Sequence, residues 1–112
     1  MVNIIRAKDC PHALGRTFRF EGQAYGSGVS FFSVDNEPGQ GPVLHVHPYP
    51  ETWLVISGSA VFIAGDETTE VTSSDIGVVP ADIPHKYVNI GPGPLRMVCI
   101  HPSSTIIQVD LE

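Results

Sequence analysis

Apolar and polar residues alternate along short segments of this chain, and turn-forming residues separate one segment from the next. The pattern predicts strands over 17–20, 29–34, 43–47, 51–57, 60–64, 67–72, 76–79, 85–90, 95–101 and 105–111. The breaks fall at stretches rich in glycine and proline, such as 37–42 and 91–94. No long window keeps the 3.6-residue period of an amphipathic helix. Short strands at this spacing predict an all-β sandwich or barrel with little or no helix.

Strand alternation also assigns each residue to one face of its sheet. In segment 95–101, Arg96 shares its face with Val98 and Ile100. The opposite face carries Leu95, Met97, Cys99 and His101. Segment 51–57 is largely apolar on both faces. Because a strand covered on both faces needs protein outside the barrel as well as inside it, we expect a homodimer.

Length and charge narrow the class of protein. The chain has 112 residues, which favours a single domain over residues 1–112. Its 6 Lys and Arg against 12 Asp and Glu give a net charge of -6, and no cation lies between Arg19 and Lys86. Such a surface repels phosphate backbones and anionic lipids, so we expect neither nucleic acid nor membrane as a partner.

The cysteines and the first residues bear on the cellular compartment. Cys10 and Cys99 stand far apart, in no disulfide-framework or zinc-ribbon spacing. Arg6, Lys8 and Asp9 precede any apolar run long enough for a signal sequence. Nowhere do the roughly 18 apolar residues of a membrane span stand together. We therefore expect a cytoplasmic protein.

Three histidines and one glutamate form the strongest chemical pattern. His45 and His47 are two positions apart on a predicted strand, so both imidazoles leave the same face. The stiff turn at 48–50 lets Glu51 begin the next strand beside them, and His85 begins another strand after Pro84. An H-x-H pair alone is more often structural than metal-binding. Three imidazoles and a carboxylate together suit a first-row divalent ion.

The wider framework of these residues resembles a known family. Residues 39–58 fit G-x5-H-x-H-x3-E-x6-G without a gap, which resembles the first motif of the cupin superfamily. Residues 74–89 resemble the second motif, G-x5-P-x-G-x2-H-x3-N, with Ser74 and Asp82 standing at two usual glycine positions. Asp and Ser occur in turns, and Asp tolerates a left-handed backbone better than most residues, so we expect the fold to survive both departures.

The resemblance implies a small single-domain cupin, a double-stranded β-helix or jelly-roll barrel. It also implies one divalent transition metal ion, Fe, Mn, Ni, Cu, Co or Zn, inside the barrel. The implied ligands are His45, His47, Glu51 and His85. The set accommodates all of these metals, so the sequence does not choose among them.

Other residues are predicted to surround this site. Alternation and the family resemblance place a set of inward-facing side chains near the metal, which we assign to the pocket lining: Trp53, Tyr87, Asn89, Met97 and Cys99. Trp53 and Tyr87 also fit plain barrel core, and Cys99 fits a small buried hydrophobe. His101 either acts near the metal, as a hydrogen-bonding group or an acid/base, or is a half-exposed histidine that ends its strand before Pro102.

Fold and ligand set do not by themselves choose the reaction. The leading hypothesis is a metal-dependent enzyme such as an oxygenase that acts on a small apolar or phenolic compound. One alternative is a non-catalytic cupin that binds or senses a small ligand. A metal-dependent isomerase or cyclase is another. All of them make a small molecule the expected partner.

Overall fold

The computed structural model describes all 112 residues, and its regular secondary structure is almost entirely strand. The strands are β1 (Phe18–Phe20), β2 (Ser30–Asn36), β3 (His45–Val46), β4 (Glu51–Ser57), β5 (Ser59–Ala64), β6 (Glu67–Thr72), β7 (Ile76–Val79), β8 (His85–Asn89), β9 (Leu95–His101) and β10 (Val109–Asp110). Short 3-10 helices cover Ala7–Asp9 and Gly22–Tyr25. No helix here has the length and apolar character needed to cross a bilayer. The predicted all-β fold is confirmed.

The strands form two antiparallel sheets of five strands each. Their orders are β1-β2-β9-β4-β7 and β10-β3-β8-β5-β6. The inner faces meet in a buried apolar core that includes Trp53, Leu95 and Met97. Residues from both sheets therefore share one interior, as a jelly-roll barrel requires.

The predicted alternation matches the observed burial in the strands that carry candidate site residues. In β9, Leu95, Met97, Cys99 and His101 are buried, whereas Arg96 is exposed. In β8 every second residue, from His85 onward, is buried in the same way. Both strands thus send one row of side chains into the barrel, where the polar members need internal partners.

The predicted strand over 105–111 is wrong except at its end. Only Val109–Asp110 pair with a neighbour, which is β3. The Ile106 N–H instead donates to a carboxylate oxygen of Glu21 at 2.8 Å, and the Ile107 N–H donates to Tyr49 Oη at 3.1 Å. Because side-chain oxygens rather than a neighbouring strand accept these backbone N–H groups, the segment stays irregular.

The two departures from the glycine pattern both occupy the left-handed region. Ser74 has φ 73° and Asp82 has φ 64°. Each turn is fixed by a backbone hydrogen bond: the Ser74 N–H donates to Val55 O and the Asp82 N–H donates to His47 O, both at 2.9 Å. The second of these bonds joins the turn before His85 to His47, the residue directly after β3.

Replacing Ser74 with valine is expected to destabilise the protein by about 1–2 kcal/mol relative to Ser74→Gly. Ser74 is exposed, so little packing changes, and the difference reports the cost of a β-branched residue at positive φ. Urea unfolding of the two variants measures it. Equal midpoints and slopes would mean that this turn does not need its left-handed conformation.

Candidate metal centre

Four side chains meet in the barrel interior between the two sheets. His45 lies on β3 directly opposite His85 on β8, Glu51 begins β4 in the other sheet, and His47 follows β3. The ligand-type atoms of these four residues all lie within 4.8 Å of one another, and all four residues are buried. Glu51 Oε1 is 2.9 Å from His85 Nε2 and 3.2 Å from His47 Nε2.

Backbone carbonyls fix the orientation of the three imidazoles. His45 Nδ1 lies 2.6 Å from Val43 O, His47 Nδ1 lies 2.8 Å from Ile107 O, and His85 Nδ1 lies 2.7 Å from Ile83 O. A carbonyl oxygen only accepts, so each Nδ1 must donate its hydrogen. In the neutral imidazole the Nε2 lone pair then faces the cluster, which is the arrangement typical of metal-binding histidine.

The cluster gathers lone pairs that a positive charge would hold together. Nε2 lone pairs and a carboxylate oxygen converge among buried side chains, and His47 Nε2 is buried without a well-aligned hydrogen-bond partner. Acceptors facing one another at this distance repel unless a positive charge lies between them. A nitrogen-rich set with one carboxylate fits a divalent first-row transition ion. The residues present therefore fit the metal.

The electrostatics of the cluster also favour a positive charge. Burial alone would raise the pKa of Glu51, but contacts with surrounding imidazoles outweigh burial and hold the pKa well below its usual range. Those imidazoles belong to His101, His47 and His85. Burial lowers the pKa of His45. Burial also acts to lower the pKa of His47, yet the nearby Glu51 carboxylate and the hydrogen bond to the Ile107 carbonyl raise the net value.

Lowering the pH from about 7.5 to about 5.5 is expected to weaken Mn²⁺ binding by about 10- to 100-fold. Metal and proton compete for the same Nε2 atoms, and the raised pKa of His47 strengthens this competition as the pH falls. Titrations can follow the fluorescence of Trp53, the one tryptophan, whose ring centroid is 5.5 Å from that of His85. An affinity independent of pH over this range would contradict the ligand assignment.

A cavity of about 200 Å³ reaches this cluster at His45 and Glu51. Its lining combines apolar and neutral polar side chains with a single carboxylate. The lining residues are Ala13, Leu14, Thr17, Phe32, Asn36, Gly41, Pro42, His45, Glu51, Tyr87, Cys99 and Gln108. Burial raises the pKa of both Tyr87 and Cys99 well above their usual values, so both are neutral at physiological pH.

The structure separates the residues that the sequence assigned to the pocket lining. Tyr87 and Cys99 lie in it, whereas Trp53, Asn89 and Met97 do not. Trp53 packs edge-on against Phe62 in the core, with ring centroids 4.4 Å apart. Met97 is 1% exposed and also belongs to the buried core cluster.

Asn89 performs a structural task at the end of its strand. Its Nδ2 donates to Asn36 O at 3.0 Å and to Gly93 O at 2.9 Å, and its Oδ1 accepts from the Gly91 N–H at 2.9 Å. These bonds join β2 to the 91–94 turn. All of its polar atoms are therefore engaged away from the cavity.

Two further side chains complete the surroundings of Glu51. His101 is fully buried, which excludes the half-exposed alternative, and its Nε2 lies 3.1 Å from Glu51 Oε2. Its Nδ1 lies 2.6 Å from Tyr49 Oη. Sequence reasoning treated Tyr49 only as part of the 48–50 turn, because no sequence pattern connects positions 49 and 101.

The site and its two motifs have counterparts in known proteins. Residues 32–101 match a family model described as the cupin domain. The chain belongs to the cupin family. This confirms the resemblance drawn from residues 39–58 and 74–89.

Individual relatives show how far the likeness extends. This cupin is 29% identical over 76 residues to the xanthan biosynthesis protein XanB of Xanthomonas campestris pv. campestris (strain B100), a match that covers 67% of this chain and 16% of XanB. A structure of Bacillus subtilis oxalate decarboxylase, whose Mn(II) centres were studied, aligns with a TM-score of 0.80 and 26% identity over 90% of this chain and 29% of the enzyme.

A second solved structure supports the fold alone. The formate complex of Lactobacillus farciminis oxalate decarboxylase aligns with a TM-score of 0.82 and 24% identity, over 93% of this cupin and 34% of that enzyme. The jelly-roll prediction is thereby confirmed. This cupin spans about a sixth of the curated relative and about a third of these decarboxylases.

Proposed function

We propose that this cupin is a metal-dependent enzyme, and specifically an oxygenase that acts on a small apolar or phenolic compound. The observation that carries the proposal is the cavity of about 200 Å³ that ends at His45 and Glu51. A cavity of about 150 Å³ holds benzene, so this one has room for a single substituted ring. When bound, the divalent ion would supply Lewis acidity and, for a redox-active metal, chemistry with dioxygen.

The cavity lining supports the substrate class. Leu14, Phe32 and Tyr87 supply apolar contact for a ring, and Thr17, Asn36 and Gln108 supply neutral polar groups. The neutral Tyr87 hydroxyl can donate a hydrogen bond to a substrate oxygen. Since Glu51 is the only charged side chain in the lining other than histidine, charge does not favour a dianionic substrate.

Manganese and iron are the metals that we propose first. The donor set accommodates both, and the 26% identical Bacillus subtilis oxalate decarboxylase has Mn(II) centres. We propose that His45, His47, Glu51 and His85 hold the ion. The imidazoles are oriented through their Nδ1 atoms by backbone carbonyls, so little rearrangement is needed.

Oxygen uptake tests the reaction class. Protein loaded separately with iron, manganese, nickel and copper is mixed with phenols, catechols and diketones, and dioxygen consumption is compared with loss of the compound. We expect coupled consumption with at least one metal, and none with His45→Ala. If no combination of metal and compound consumes dioxygen, the oxygenase proposal is overturned.

Decarboxylation of a small carboxylate is the second candidate. The 26% identity and TM-score of 0.80 to oxalate decarboxylase favour it, whereas the lining described above does not. Release of CO₂ from oxalate by the manganese-loaded protein would support this candidate. A ligand that raises the melting temperature and is recovered unchanged would instead support the non-catalytic binding alternative.

We also propose that two copies of the chain pair through the outer face of the first sheet. Ile76 and Val78 on the edge strand β7 are 67% and 66% exposed. Ile76 lies opposite Leu54 of β4, and Val78 lies opposite Thr52. A two-fold dimer buries the same patch on both copies, which this apolar face permits. We expect light scattering at micromolar concentration to give a dimer for the wild type and a monomer for Val78→Glu. A monomeric wild type would remove the proposal.

A further inference from the structure

We propose that Tyr49 and His101 are positioning residues that restrain the second oxygen of Glu51, so that Glu51 offers a single oxygen to the metal. The inference rests on the metal site proposed above and adds to it residues outside the ligand set. It starts from an asymmetry in the carboxylate. Oε1 faces the ligand histidines His47 and His85, whereas Oε2 faces His101.

His101 presents the opposite ring tautomer to that of the three ligand histidines. Its Nδ1 faces Tyr49 Oη at 2.6 Å, a hydroxyl that can donate, where each ligand histidine has a carbonyl that can only accept. The Tyr49 oxygen accepts the Ile107 N–H at 3.1 Å, which leaves its own O–H free to donate to Nδ1. With Nδ1 as the acceptor, a neutral His101 carries its hydrogen on Nε2.

The Nε2–H of His101 therefore points a donor, not a lone pair, at the metal cluster. It is fully buried and has no well-aligned acceptor, although Oε2 lies 3.1 Å away. A small rotation of the carboxylate satisfies it, and an unsatisfied buried donor is costly enough to drive that rotation. This geometry explains why a fourth histidine stands at the site without joining the ligands.

The consequence for the metal is a restrained carboxylate. With Oε2 engaged by His101, only Oε1 would be free to bind the ion. Loss of an outer partner of this kind typically costs about 10- to 100-fold in metal affinity. Tyr49 also stacks on His47 with ring centroids 5.3 Å apart and accepts the Ile107 N–H, so the His101 variants are needed to isolate the contact with Glu51. Neither residue is assigned a chemical step.

The test removes the Tyr49 hydroxyl oxygen, which contacts His101 Nδ1. Tyr49→Phe deletes only the hydroxyl, and we expect about tenfold weaker Mn²⁺ binding together with a changed zero-field splitting in the Mn²⁺ EPR spectrum. Tyr25→Phe is the matched control, because Tyr25 is exposed and stacks on Phe20 with ring centroids 5.7 Å apart. The control is expected to leave both readings at the wild-type values.

A pair of substitutions at His101 checks the same contact from its other end. His101→Gln keeps an N–H donor toward Oε2 and is expected to retain more of the affinity and spectrum than His101→Leu. If Tyr49→Phe and His101→Leu both match the wild type in affinity and the Tyr49→Phe spectrum is unchanged, the positioning role is overturned while the metal site stands. If the wild type binds no Mn²⁺, the metal site itself is overturned, and this role with it.

Discussion

Replacing His85 with alanine is expected to weaken Mn²⁺ binding by more than about 100-fold. His85 Nε2 lies 2.9 Å from Glu51 Oε1, and its ring is fixed by the Ile83 carbonyl, so alanine removes an oriented ligand atom. The expected loss exceeds the 10- to 100-fold effect typical of outer partners, because a direct ligand is lost. Isothermal titration of metal-free protein with Mn²⁺ measures the change.

His12→Ala is the matched control for this experiment. His12 is exposed, and its ring contacts Phe18 and the Cys10 carbonyl outside the candidate site. Its Mn²⁺ affinity is expected to equal that of the wild type. A His85→Ala protein that binds as tightly as His12→Ala would exclude His85 from the ligand set.

Replacing Trp53 with alanine is expected to lower the free energy of unfolding by about 3–5 kcal/mol. Trp53 is 1% exposed and packs against three other rings, with centroids 4.4 Å from Phe62 and 5.5 Å from both Tyr87 and His85. Alanine would leave a cavity that the closed barrel cannot fill. Such a loss is a large share of the stability of a small domain.

Urea unfolding of the metal-free proteins measures this effect without contributions from bound metal. Ile4→Ala serves as the comparison, because Ile4 is 63% exposed and its truncation should change stability by less than about 0.5 kcal/mol. Trp53→Phe keeps a ring at this position and is expected to fall between the two. A Trp53→Ala protein as stable as Ile4→Ala would mean that Trp53 does not support the core.

The sequence predicts those parts of the molecule that depend on regular periodicity and short spacing. Alternation assigns Met97 and Cys99 to the inner face of β9, and the 39–58 motif carries His45, His47 and Glu51 at fixed intervals. Strand geometry then converts these spacings into shared faces. His85 lies in a distant segment, and it was assigned to the ligand set because residues 74–89 resemble the second motif.

Other features depend on contacts that no local pattern encodes. Tyr49 contacts His101 across 52 positions of sequence. The segment 105–108 is irregular because the Ile106 and Ile107 N–H groups donate to the side chains of Glu21 and Tyr49. An inward-facing residue is also not always a pocket residue. Trp53 and Met97 belong to the buried core cluster, and the cavity that reaches the metal cluster is lined by other residues.

The metal content of the purified protein tests the central claim most directly. Wild type and the double variant His45→Ala/His85→Ala are purified without a chelating tag, and transition metals are measured by mass spectrometry against protein concentration. We expect about one equivalent per chain in the wild type and less than about a tenth in the variant, since two of four ligands are gone. Equally little metal in both proteins, even after incubation with Mn²⁺ or Fe²⁺, would contradict the metal centre.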